Sequence, residues 1–156
     1  MNEVIYKWLQ SVRIALIANY DKLGLRASGN WAKTLQPFDT RKNNKINLGV
    51  LGQDYTFWLE NGRRKNQDQT PEGLKAWVGW AGSTFLKQWV QDKQIDLNPY
   101  ALAWSVARKG WTVPNQNNAG GLVSDVVTKA KIQELNRGLL TAIIQDFKSQ
   151  VIKNVN

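Results

Sequence analysis

Apolar residues keep helical spacing over residues 3–23, where Val4, Ile5, Trp8, Leu9, Val12, Leu16, Tyr20 and Leu23 recur while Lys7, Gln10, Arg13 and Asp21 take other positions. This pattern predicts a long amphipathic helix that Gly24 ends. A short helix follows, with Ser28 as cap, Trp31 and Leu35 spaced to pack together, and Pro37 closing it. Two strands are predicted over 36–40 and 45–51, joined by the polar turn Arg-Lys-Asn-Asn at 41–44. In the second strand Ile46, Leu48 and Val50 alternate with Asn47 and Gly49, which predicts one buried face.

The stretch 54–65, DYTFWLENGRRK, joins a helix-capping acid, aromatic residues, one carboxylate, a glycine stop and three consecutive cations. Asp54 is placed to cap a short helix in which Tyr55, Trp58 and Leu59 share a face, and Gly62 to end it in the left-handed region. Arg63, Arg64 and Lys65 then leave it as a basic loop, with Glu60 at the end of the turn. The plain reading of this stretch is an amphipathic turn and a solvated loop; the functional reading is a contact surface.

Thr70 and Pro71 form a cap followed by proline at the first helical position, and Leu74, Trp77 and Val78 make that helix's apolar stripe. Gly79 and Gly82 weaken it, and Ser83 is a candidate cap for a continuation through Phe85, Leu86, Trp89 and Val90 to Lys93. One kinked helix and two separate ones fit equally well. Asn98 and Pro99 start a further helix through Leu102, Trp104, Val106 and Ala107, with Arg108 and Lys109 in its last turn, where the macrodipole favours cations, and Gly110 as terminator. Residues 111–121, WTVPNQNNAGG, lack apolar periodicity and predict a mobile surface loop. Over 129–155 a final long helix carries Ile132, Leu135, Leu139, Ile143, Phe147 and Val151 on one face, flanked by Leu140, Ile144 and Ile152, and is expected to pack against the first. The expected fold is α+β, with long terminal helices packed with a small antiparallel hairpin and shorter helices. No linker or internal repeat divides the chain, so a single domain over 1–156 is expected.

Composition narrows the chemistry. The 156 residues include no cysteine and no histidine, which removes thiol nucleophiles, disulfides, the usual zinc ligand sets and Ser-His-Asp triads. The twelve acidic residues are scattered, Gly120-Gly121 is not followed by Lys-Ser or Lys-Thr, and Glu60 is the only carboxylate suggested for a hydrolase role. No cofactor, metal site or catalytic residue is expected. A net charge of +9 from 21 basic residues, dispersed apart from the run at 63–65, favours contact with nucleic acid, anionic lipid or an acidic protein surface. No apolar run approaches the roughly 18 residues of a transmembrane helix, and no signal peptide is read. Eight tryptophans are many for one small core, since each offers about 150 to 250 Å² to bury. They are either core and half-exposed helix residues or residues of subunit interfaces.

The succession SGNWAKTL (28–35), a hairpin, YTFWLENGRR (55–64), TPEGLKAWV (70–78) and YALAWSVARKGW (100–111) resembles the gene-ten-like tail-completion or head-tail joining proteins of tailed bacteriophages, related to the lambda gpZ-type minor tail component. Ala27, Ser28, Gly29 and Leu35 match the first motif, Tyr55, Leu59, Glu60, Gly62 and Arg63 the second, and Pro71 and Trp77 the third. Ala101, Ala103, Ala107, Arg108 and Lys109 match the last. Thr56 stands where the family has alanine, Gly110-Trp111 follows Ala-Arg-Lys sooner than usual, and the region 79–98 is longer than in a minimal member.

The resemblance implies a non-catalytic virion protein, made in the host cytoplasm, that forms a homo-oligomeric ring at the neck or upper tail. Its implied partners are copies of itself, neighbouring neck, connector or tail proteins, and DNA passing through the channel, with no membrane. The residues expected at its interfaces are Tyr55, Trp58, Glu60, Arg63, Arg64, Lys65, Arg108, Lys109 and Trp111. A basic monomeric nucleic-acid-binding module is the alternative.

Overall fold

A computed structural model describes residues 2–43, 45–53 and 55–155, the last three through their backbone only. Seven helices and one two-stranded antiparallel sheet make a mixed α+β fold among the described residues. Those within 1–19, 35–52 and 121–156 form one compact unit, and those within 20–34 and 53–120 form a second.

The first unit contains most of α1 (Asn2–Lys22), the hairpin of β1 (Gln36–Lys42) and β2 (Lys45–Leu51), and α7 (Lys129–Val155). The hairpin register pairs Gln36 with Leu51 and Lys42 with Lys45. Pro37 lies within β1, opposite Val50, so it joins the strand instead of closing the preceding helix. The expected buried strand face is only partial: Leu48 and Val50 are half-buried, whereas Ile46 is exposed because the tip of the hairpin lies beyond the apolar cluster. That cluster is Ile5, Leu9 and Leu135, with Val4, Trp8, Leu48 and Leu139 packed around it.

Thr128 starts α7, its hydroxyl accepting from the Lys131 amide at 3.2 Å. The predicted contact between the terminal helices forms over their first turns. Trp8 Nε1 donates to the Lys131 carbonyl at 2.8 Å, and Gly138 lies so close to α1 that an added Cβ would meet Val4 Cγ1 at 2.8 Å. The remainder of the predicted packing face is not covered, and Ile143, Phe147 and Val151 are exposed.

In the second unit, Gly24 ends α1 with φ 65° and the short helix α2 (Asn30–Thr34) follows. Trp31 is the most deeply buried of the large side chains here, stacked on Tyr20 with ring centroids 4.6 Å apart. Its indole N–H donates to Thr56 Oγ1 at 2.8 Å, at the start of α3 (Thr56–Asn61). Asp54, the expected cap of that helix, lies outside the described residues; the position before the helix is held by Tyr55, which contributes no side-chain capping bond.

The stretch left open between one helix and two resolves as α4 (Pro71–Ser83) and α5 (Phe85–Asp92), broken at Thr84. Ser83 does not cap the second helix. Its hydroxyl turns back to the Gly79 carbonyl at 2.6 Å, so it completes the last turn of α4 instead. Thr70 caps α4 through the Gly73 amide, and Asn98 caps α6 (Pro99–Lys109) through the amides of Tyr100 and Ala101. Leu74, Val78, Ala81, Leu86, Ala103 and Ala107 form the core between these helices. Three fully buried alanines let α4 and α6 approach closely.

Candidate interaction surface

Two helices of the second unit end in the same way. Gly62 after α3 has φ 76° and ψ −171°, and Gly110 after α6 has φ 68° and ψ −164°. Gly62 thus ends α3 at positive φ, as predicted, and both glycines combine that φ with an extended ψ, a region which only glycine enters readily. It turns the chain out of each helix as an extended segment. The residues that follow then meet: the Arg63 amide donates to the Trp111 carbonyl at 2.9 Å, and the Trp111 amide donates to the Arg63 carbonyl at 2.8 Å. An added Cβ at Gly62 would lie 2.4 Å from the Trp111 carbonyl oxygen, and one at Gly110 2.2 Å from that of Arg63. Each glycine is therefore required by the strand segment that the other releases.

The basic loop continues along α6. The Asn66 amide donates to the Ala107 carbonyl at 2.8 Å, and Gln69 Nε2 reaches the same oxygen at 3.1 Å. These bonds satisfy a carbonyl in the last turn of the helix, one of the four that a helix leaves without an internal partner.

Arg63 turns inward. Its guanidinium sits 4.3 Å from the centroid of the Trp77 ring and 6.0 Å from that of Trp58, and Nη1 donates to the Arg64 carbonyl at 3.1 Å. A cation over an indole face is attracted by the ring quadrupole, more so when partly desolvated. Burial pushes the Arg63 guanidinium below the ordinary arginine value, the direction expected when water is withdrawn from a cation.

Arg64, Lys65, Arg108 and Lys109 remain exposed around this junction, with the Arg108 guanidinium 5.9 Å from the Trp104 ring centroid. Trp111 and Glu60 are half-buried, while Trp58 and Trp104 are exposed. Tyr55 stands half-buried at the opposite end of α3, its hydroxyl pushed up by burial. The junction thus gathers Trp58, Arg63, Arg64, Lys65, Arg108, Lys109 and Trp111, and leaves Tyr55 apart from them.

Two participants have no counterpart among the residues expected at interfaces from sequence. Trp77 lies on the stripe of α4, which marked it as a core residue. Asn118 lies in the segment predicted to be a mobile loop, yet it is buried: its Nδ2 donates to the Leu59 carbonyl at 2.7 Å, and its Oδ1 accepts from the Gly120 amide at 2.9 Å. Asn115 and Asn118 also exchange backbone hydrogen bonds. Of three asparagines within four residues, nothing local marks Asn118 as the one that reaches α3.

Chemically the junction sets aromatic and cationic side chains around one reciprocal backbone hydrogen-bond pair. Comparison with protein-family models, curated proteins and solved structures finds no match.

Proposed function

We propose that this chain is a structural subunit of a tailed bacteriophage, forming a homo-oligomeric ring at the neck or upper tail that completes the tail or joins it to the head. The observation that carries the reading is the convergence of the motif stretches. Trp31 of 28–35 bonds to Thr56 of 55–64, Arg63 of 55–64 lies over Trp77 of 70–78, and Arg63 bridges Trp111 of 100–111. Stretches that are separate along the chain thus hold one another in place. Around them Trp58 and Trp104 are exposed, with the guanidiniums of Arg63 and Arg108 6.0 and 5.9 Å from their ring centroids, and Arg64, Lys65 and Lys109 are exposed as well, a combination suited to the aromatic and arginine-rich contacts of protein interfaces. The reading assigns the chain no catalytic step.

Electron microscopy of particles from a phage or prophage in which this gene is interrupted tests the proposal. Full heads beside unattached or overlong tails are the expected result, and the defect seen distinguishes joining from tail completion. Normal infectious particles would overturn it. The exposed Arg108 beside Trp104 favours, as second reading, a nucleic-acid-binding module. That reading requires tryptophan quenching by oligonucleotides with an affinity that falls steeply with salt.

A further inference from the structure

The second half of α7 carries an apolar stripe turned away from the contact that anchors the helix. At 100° per residue, Leu140, Ile143, Ile144, Phe147 and Val151 fall within about 100° of arc, and the middle of that arc lies roughly 110° from the direction of Leu135 and Leu139, which face α1. All five are between 45% and 66% exposed. Past Gly138, where it meets Val4 of α1, α7 continues to Val155. At 1.5 Å per residue this is about 25 Å of helix beyond the crossing.

We infer that this arm pairs with the same arm of further copies of the chain, parallel and in register, around a shared rotation axis. The stripe offers on the order of 500 Å² of apolar surface, most of the roughly 800 Å² that one partner gives to a standard interface. Charge sets the direction. Asp146 and Lys148 are exposed and lie on opposite flanks of the stripe, each about 100° from its middle, and among the described residues neither is in an ion pair. In an antiparallel pair centred on Phe147 like flanks meet, so Asp146 faces Asp146 and Lys148 faces Lys148 of the other copy. In a parallel pair or bundle opposite flanks meet, and Asp146 faces Lys148 of the next copy. Parallel arms share one cyclic axis, which is the symmetry that a ring requires. The inference rests on the proposed self-assembly and specifies one of its contacts.

Because the chain has no cysteine, single substitutions report the contact without background. Ile143→Cys in the full chain, oxidised at high micromolar concentration, is expected to give a cross-linked dimer as the main product. Phe147→Asp, at an exposed position, is expected to lower the sedimentation mass of the assembly at least twofold with an unchanged circular dichroism spectrum. Cross-linking that appears only when Ile143→Cys and Val151→Cys are combined would overturn the parallel arrangement. A wild type that stays at the single-chain mass of 17.7 kDa and does not cross-link at position 143 would overturn arm pairing altogether. Rings that are visible in micrographs and persist in Phe147→Asp would overturn the arm contact and leave the ring reading standing, whereas normal particles after gene interruption would remove the ring reading alone.

Discussion

Arg63 and Trp111 exchange both backbone hydrogen bonds, at 2.9 and 2.8 Å, immediately after two helix-ending glycines of nearly identical conformation. A reciprocal pair of this kind is a single rung of antiparallel sheet. It fixes the ends of α3 and α6 to each other, with Arg63 turned in over Trp77 and Arg64 and Lys65 exposed after it.

Alanine at Gly62 or Gly110 meets two obstacles, positive φ with extended ψ and a backbone oxygen within 2.4 or 2.2 Å. Each substitution is expected to cost at least about 2 kcal/mol, from strain of roughly 1 to 3 kcal/mol per residue plus the collision. In a chain of this length that lowers the melting temperature by about 5 °C or more in a circular dichroism scan. Because either change breaks the same rung, the double variant is expected to lose less than the sum of the two.

Arg63→Lys keeps the charge but loses the planar face that lies over Trp77. A loss of about 0.5 to 2 kcal/mol is expected in denaturant unfolding. Arg64→Lys, at an exposed position, is expected to fall within about 0.5 kcal/mol of wild type. Equal effects at the two positions would show that stacking on Trp77 contributes nothing.

Trp31→Phe removes an indole N–H whose acceptor, Thr56 Oγ1, is 2.8 Å away in a site where the tryptophan is 1% exposed. The expected cost is about 1 to 3 kcal/mol, the lost bond and the lost volume together. A double-mutant cycle with Thr56→Val should recover a coupling of roughly 1 kcal/mol, and no coupling would mean that packing alone accounts for the effect.

Asp68 accepts from both the hydroxyl and the amide of Thr70, and these bonds hold its carboxyl below the usual range. Its folded value is depressed relative to the unfolded chain, so its contribution is present above the unfolded value of about 4 and is lost as pH falls through the folded one. Asp68→Asn is therefore expected to lower stability at neutral pH and to flatten its decline on acidification below about pH 4. Following the Asp68 carboxyl by NMR should show it titrating below a free aspartate, and a midpoint at or above the free value would refute the bonds to Thr70 as a source of stability.

Local chemistry made much of the fold legible. The predicted helices over 3–23 and 129–155 match α1 and α7 to within a residue or two, because a long apolar stripe needs no tertiary information. Thr70-Pro71 and Asn98-Pro99 start α4 and α6 where expected, since a side-chain cap and a proline at the first position act within four residues. The exceptions were short-range competitions. Ser83 bonds back to Gly79 instead of capping forward, and Thr84 takes the break, two local bonding patterns open to the same hydroxyl residues.

By itself the sequence determined where helices start and stop, that Gly62 and Gly110 end two of them, that the chain is basic and rich in tryptophan, and that α7 bears an apolar face. Tertiary structure alone decided that Arg63 meets Trp111, that Trp77 lies beneath the guanidinium, that Asn118 reaches the Leu59 carbonyl, and that Leu135 of α7 is buried while Ile143, Phe147 and Val151 are exposed. The reason is physical. Caps, terminators and periodicity are settled by atoms within a few residues, whereas contacts between distant segments depend on how whole helices pack. A hydrophobic period shows that a face is apolar without saying what covers it.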